Sequence, residues 1–321
     1  MQNVTDSKAI AIVGATSLIA KDLIINFASD NATRLILYGR NVDEIHRWLT
    51  SQNLEGRFVV ADYASYGALD HDVVINFVGV GDPAVALAMG ASIFDITLNF
   101  DQMIIRELEK NTHRRYIFIS SGAVYGSNFA KPVSLESHSI INVNSLKSHE
   151  FYTVAKLYAE CTHRSLSHLA ITDLRVFNYF SSATNLDARF FITDLMRAVI
   201  GKSVLEVSGG EMVRDYIHPQ DFYQLICRVI HAPEKNTAID CYSMEPISKA
   251  KILKNFSEKF GLRWLIVGDD RNTVPDISRL KENYFSKNRM ASEFGYKPSF
   301  SSLDALFECA EKILERKLVD K

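Results

Sequence analysis

The chain opens with KAIAIVGATSLIAKDLIINFA, residues 8–28, and this stretch narrows the fold more than any other. AIAIV is a short apolar run of the kind that forms a strand buried on both faces of a parallel sheet. GATSLIA follows, and then a helical stripe of Leu23, Ile24 and Phe27. A strand, a turn of small residues and a helix together bring backbone N–H groups to a helix amino terminus, where a dinucleotide pyrophosphate can sit. Gly14 permits the tight turn, and Thr16, Ser17, Leu18 and Ile19 would surround the phosphates. Ser17 and Ala20 stand where the fuller glycine fingerprint has glycine. The serine hydroxyl can still donate a hydrogen bond, and alanine is small enough for close helix packing. An ordinary strand–helix turn would carry the same pattern.

The next segments repeat the strand signal. RLILYGRN gives a second strand ending at Leu37 or Tyr38, where an Asp or Glu would bond the adenine-side ribose and indicate NAD. No acid follows until Asp43, and Arg40 can instead pair with a 2′-phosphate, which indicates NADP. GRFVVADY supplies a third strand with Asp62 at its end, placed to contact the adenine edge. DVVINFVGVGD supplies a fourth, whose Asn76, Phe77 and Gly79 would line the cofactor at the carboxyl end of the sheet, where open parallel sheets take ligands. A helix around Phe100 to Lys110 precedes YIFIS, a fifth strand with Ser120 and Ser121 at its tip. A sixth strand spans Thr172 to Phe177.

Between the fifth and sixth strands lies SHEFYTVAKLYAECTHRSL, which reads as a helix with Val154, Leu157, Cys161 and Leu166 on one apolar stripe. Tyr152 and Lys156 are four apart and share a face. A neighbouring ammonium favours phenolate, so Lys156 is expected to bring the Tyr152 pKa down towards neutrality, as proton transfer at physiological pH requires. A surface tyrosine beside a solvated lysine would show the same spacing.

A net charge of −2 spread over 321 residues gives no electrostatic preference for a nucleic-acid polymer or a membrane. MQNVTDSKAIAIVG lacks the apolar run of a signal peptide, and no stretch is long enough to span a bilayer, so a cytoplasmic protein is expected. Cys161, Cys227, Cys241 and Cys309 lie far apart without metal spacing and are expected to be reduced, mostly buried thiols, with no metal site.

GATSLIA, Asn76 to Gly79, SSGAVYG, YTVAK, LRVFNYF and RDYIHPQDF, in that order, resemble the extended short-chain dehydrogenase/reductase family, in its nucleotide-sugar epimerase and reductase branch. The resemblance implies a Rossmann-type α/β fold, a doubly wound parallel sheet with a smaller, interleaved carboxyl-terminal substrate lobe. It implies Ser121, Tyr152 and Lys156 as catalytic residues, with Lys156 also holding the nicotinamide ribose and Phe177 beside the carboxamide. It assigns substrate contacts to Ser121, Gly122, Ala123, Asn178, Val204 and Arg214, the last two flanking the base and the diphosphate. A nucleotide-diphosphate sugar is the implied substrate and a homodimer the implied assembly.

Two departures bear on the chemistry. The dehydratase branch carries an Asp–Glu pair where this chain has Gly122 and Ala123, which removes the acids needed to expel a 6-hydroxyl. Near the carboxyl end, TVPD (Thr273 to Asp276) replaces an arginine-bearing R-x-G-D, with Arg271 or Arg279 as substitutes. NADP(H)-dependent reduction of a 4-keto nucleotide sugar fits this pattern. An NAD-dependent C4 epimerase would use the same residues, and a non-catalytic dinucleotide-binding protein is the alternative of another class.

The expected division is a cofactor domain over residues 1–178, with 212–235 packing back on it, and a substrate lobe over 179–321. ARFFITDLMRAVIG reads as a helix stopped at Gly201, followed by a strand from Val204 to Val207. Pro219 opens a helix with Asp221 as its cap and His218 as a structural histidine. ISKAKILKNFSEKFGL is amphipathic, with Ile252, Leu253, Phe256 and Phe260 inward, and NRMASEFGYKPSFSSLDALFECAEKILERK contains two more helices.

Overall fold

The computed structural model describes residues 8–29, 33–81, 83–268 and 281–319. The segment holding TVPD, Arg271 and Arg279 lies outside the described residues. The chain alternates strand and helix as β1 (Ala9–Val13), α1 (Leu18–Ala28), β2 (Arg34–Tyr38), α2 (Val42–Ser51), β3 (Val59–Ala61) and β4 (Val73–Asn76). It continues through α3 (Pro83–Met89), α4 (Ser92–Lys110), β5 (Arg115–Ser121), α5 (Phe151–Ser165), β6 (Ala170–Val176), β7 (Asn178–Tyr179), α6 (Phe191–Gly201), β8 (Val204–Ser208), β9 (Val213–Arg214) and β10 (Tyr216–Ile217). The remainder is α7 (Pro219–His231), β11 (Thr237–Asp240), β12 (Ile247–Ser248), α8 (Lys249–Phe260), β13 (Arg263–Val267), β14 (Asn283–Tyr284) and α9 (Ser302–Val319).

The central sheet has seven parallel strands in the order β11-β6-β5-β4-β1-β2-β3. This is the doubly wound Rossmann arrangement expected from the sequence, extended by β11, which the sequence reading did not find. Successive side chains of each strand feed opposite layers. Ile10 and Ile12 of β1 join Leu23, Ile24 and Phe27 of α1 and Phe222, Leu225 and Ile226 of α7. Ala11 and Val13 join Ile104 and Leu108 of α4 and Ala159 of α5. A separate core under Leu195, Met196, Ile252, Phe256 and Leu306 holds α6, α8 and α9 together.

Strand order reverses at β1, which pairs with β2 through Val13↔Tyr38 and with β4 through Val13↔Asn76. The carboxyl ends of β1, β2, β4 and β5 therefore open along one edge, with β5 and β6 aligned through Ser121↔Val176. Small pairings tie the second lobe to that edge. β10 pairs with β7, and β9 is flanked by β12 and β14.

Several local expectations change. α4 begins at Ser92, well before Phe100. MASEF forms only a 3-10 turn, Met290–Phe294, because Gly295 in the left-handed region ends it. The cap of α7 is His218, whose Nδ1 accepts from Gln220 N at 3.1 Å. Asp221 instead accepts from the backbone N–H groups of Ser299 and Phe300, so it pins a distant loop to the helix start. Cys241 and Cys309 are buried, but Cys161 is exposed, and no disulfide joins the four among the described residues.

Candidate active site

Helix α5 carries Tyr152 in its first turn and Lys156 one turn on, and β5 ends at Ser121 beside them. Ser121 Oγ accepts from the Ala123 N–H at 3.1 Å, capping the 3-10 turn Gly122–Tyr125. The Ser121 hydroxyl also acts on the Tyr152 phenol and lowers its pKa, but burial outweighs it and the net shift is upward. This reverses the expectation that Lys156 brings Tyr152 down. The ammonium of Lys156 donates to the Ile119 carbonyl at 2.8 Å and lies 4.1 Å over the Phe118 ring. Burial lowers the Lys156 pKa to about 8, against the pull of Asp101, Glu160 and Asp173. Lys156 is only 2% exposed, and its charge is shared with carboxylates that sequence spacing could not place.

The loop between β1 and α1 is anchored by Gly14 and Ala15, whose N–H groups both reach Tyr38 O. Ser17 caps α1 by accepting from Ala20 N at 3.2 Å. Among the described residues, the N–H groups of Thr16, Leu18 and Ile19 meet no acceptor. That donor set, at the positive end of an eleven-residue helix, fits a pyrophosphate. Gly14 has φ +85°, and a Cβ there would come within 3.0 Å of the Phe77 carbonyl carbon and Val78 nitrogen, so only glycine lets the two loops close together. Gly79 at φ +154° faces Lys156 Nζ, which a Cβ would meet at 3.3 Å.

Arg40 is exposed just beyond β2, with no ion pair recorded for it among the described residues. Asp62, beyond β3, is also exposed, and its Oδ1 is held by Ser65 N and Oγ. The Asn76 side chain is buried, donating to Tyr116 Oη at 2.9 Å and accepting from Val78 N at 2.9 Å, so its amide is held by the fold at the end of β4. Phe77 likewise packs into the core against Phe222.

On the other side of Ser121, Gly122 lies flat against Phe177, and a Cβ there would sit 2.4 Å from the ring. Ala123 is buried and has already given its N–H to Ser121. Asn178 Nδ2 donates to Asp215 O at 3.2 Å and to Tyr284 O at 3.4 Å. Arg214 is buried, with Nη1 donating to the carbonyls of Val213 and Lys281. Val204 lies on the exposed start of β8, which pairs with β13. The sequence reading missed Tyr284. Its hydroxyl is 3.4 Å from Ser121 Oγ, and its ring packs at 4.7 Å from Phe129 and 5.2 Å from Phe177. Half-buried Lys281 places its ammonium 4.3 Å over the same ring.

The sequence profile of the NAD-dependent epimerase/dehydratase family matches residues 10–243. The chain belongs to that family. It is thereby one of the family's NAD(P)-dependent enzymes. Comparison with curated proteins finds no matching relative. Among solved structures, UDP-glucose 4-epimerase from Thermotoga maritima superposes with a TM-score of 0.78 at 16% identity, covering 97% of this chain and 99% of that one. UDP-glucuronic acid 4-epimerase from Bacillus cereus, solved with NAD, gives 0.73 at 18%, covering 96% and 99%. dTDP-glucose 4,6-dehydratase from Bacillus anthracis, also with NAD, gives 0.74 at 14%, covering 97% and 98%. At these identities the likeness is one of fold.

This epimerase/dehydratase family member backs its candidate site with two buried polar networks. In one, His163 bridges Asp173 at 2.6 Å and Asp101 at 2.8 Å, and Tyr116 donates to the same Asp101 oxygen at 2.8 Å. Burial opposes the imidazolium, yet the two carboxylates prevail and raise the His163 pKa to about 9. In the other, Arg175 grips Glu160 through Nε and Nη2, while Glu160 accepts from Ser120 at 2.6 Å. Arg175 also donates to Tyr125 Oη, which donates to Asp240. Ser120 is thus bound into the scaffold, which leaves Ser121 as the serine facing Tyr152 and Tyr284.

Proposed function

We propose that the protein carries out NADP(H)-dependent reduction of a 4-keto nucleotide-diphosphate sugar. The observation that carries the cofactor reading is Arg40, an exposed cation at the tip of β2 where no carboxylate stands to take a ribose 2′-hydroxyl. Thr16, Leu18 and Ile19 offer N–H groups to the pyrophosphate, and Gly79 leaves room beside Lys156. The bound nicotinamide supplies the hydride. Ser121 holds the substrate carbonyl oxygen, and Tyr152, kept protonated by its burial, passes its proton to that oxygen. Lys156 provides positive charge behind the phenol and the ribose. Arg214 and Asn178 are the residues assigned to the diphosphate. Gly122 and Ala123 supply no acid, which supports reduction over dehydration.

The second reading is an NAD-dependent C4 epimerase, favoured by the superposed UDP-sugar 4-epimerases, one of them solved with NAD. It needs the same three residues and differs in keeping its cofactor through the cycle. On the protein side, a second copy of the chain is the assigned partner. Val154, Leu157 and exposed Tyr158 and Cys161 on the outward face of α5 support this. The described residues contain no helix long and apolar enough to cross a membrane, and a cytoplasmic setting suits the assigned cofactor.

The test is a fluorescence titration of NADPH against NADH. A charge-assisted contact from Arg40 to a 2′-phosphate stabilises binding by roughly 1.5–3 kcal/mol, so NADPH should bind about ten- to a hundredfold more tightly, and Arg40→Ala should abolish the difference. NAD copurifying with the protein, with no preference for NADPH, would move the assignment to the epimerase.

A further inference from the structure

We propose that Tyr284, supplied by the carboxyl-terminal lobe, is a positioning residue that turns the single proton of Ser121 towards Tyr152 in the free protein, and towards the substrate oxygen once that occupies the site. The inference rests on the reading of Ser121 and Tyr152 as the reacting pair.

A serine hydroxyl has one proton and two acceptor sites. One acceptor site of Ser121 is filled by the Ala123 N–H at 3.1 Å. Among the described residues, the one hydrogen-bond partner of Tyr284 Oη is Ser121 Oγ, at 3.4 Å. That is longer than an optimal O–H···O bond, but a buried phenol with one hydrogen-bond partner in the fold donates to it or leaves its proton unpaired. If Tyr284 donates, both acceptor sites of Ser121 are filled, and the serine proton is left for the Tyr152 phenol, whose pKa the Ser121 hydroxyl lowers against the effect of burial. The arrangement is held rigidly. β14 pairs with β9 in the register Tyr284↔Arg214, Asn178 donates to the Tyr284 carbonyl, and Phe129 and Phe177 wall the ring. Burial keeps the Tyr284 phenol protonated far into the alkaline range, so it remains a neutral donor throughout. The reacting groups of the cofactor domain are thereby aimed by a side chain 163 positions away.

The experiment labels the full chain with tyrosine carrying 13C at Cζ and follows ionisation by NMR. The Tyr152 signal is the one that Tyr152→Phe removes. In Tyr284→Phe, which keeps the ring between Phe129 and Phe177, the Tyr152 ionisation should move up by roughly half a pH unit or more, the worth of one neutral hydrogen bond. In Ser121→Ala it should rise at least as far, and adding Tyr284→Phe to Ser121→Ala should move it no further. An unmoved Tyr152 in Tyr284→Phe, or an equal shift with and without Ser121, would overturn the proposal. NADPH binding, read on the same samples, separates the two claims. A coupled shift in a chain that does not bind NADPH supports the hydroxyl chain while sinking the reductase reading. Uncoupled variants that bind NADPH do the reverse.

Discussion

Lys156 holds its ammonium between the Ile119 carbonyl and the Phe118 ring, and burial brings its pKa down to about 8. It is charged below that pH and loses its proton as pH rises through it. If its charge serves the reaction, kcat should fall as pH passes about 8, while Lys156→Arg, whose guanidinium stays charged, should carry the limb to higher pH. A pH–rate profile of both proteins checks this, and coincident alkaline limbs would contradict it. The Tyr152–Lys156 pair was legible in the sequence because four-residue spacing on a helix fixes a shared face. The direction of the ammonium was not, because it is set by the Ile119 carbonyl and the Phe118 ring, which reach it from β5. Tyr284 was illegible for the same reason, since nothing local to NYF marks it as a neighbour of Ser121.

Helix α5 turns an unexpected face inward. Of the apolar stripe read from the sequence, Val154, Leu157 and Cys161 are half-exposed or exposed and Leu166 packs against the core, while Lys156, Glu160 and His163 are buried. Apolar periodicity assumes that a helix buries its hydrophobic side, and paired buried charges override it. His163 is the clamp, joining α5 to α4 through Asp101 and to β6 through Asp173. Its folded pKa, about 9, lies above the ordinary 6.5, so the stabilisation it gives is complete below pH 6.5 and is lost as pH rises through about 9. Urea unfolding should show wild type ahead of His163→Asn by something on the order of 3 kcal/mol at low pH, with the gap closing above pH 9. A gap that does not change with pH would mean that the histidine acts by packing alone.

At the scale of the molecule, the strand–turn–helix at the amino terminus and the run of buried strands announced the doubly wound sheet, because β1 is apolar throughout and β2 and β4 are apolar over most of their length. The second lobe was less legible. Its strands β9, β10, β12 and β14 are two residues each, too short for any periodicity, and they are defined only by pairing with one another and with β7. Yet these short pairings bring Arg214, Tyr284 and Lys281 to the edge where Ser121, Tyr152 and Lys156 meet. The account as a whole is tested most directly by supplying the full chain with a UDP-linked 4-keto sugar and NADPH deuterated at C4, and following both molecules by mass spectrometry. It predicts one NADPH oxidised for each sugar reduced, with deuterium at the former keto carbon, and loss of roughly a hundredfold or more in rate in Tyr152→Phe. Interconversion of C4 epimers of an intact UDP-sugar, with no NADPH consumed and no deuterium gained, would contradict it.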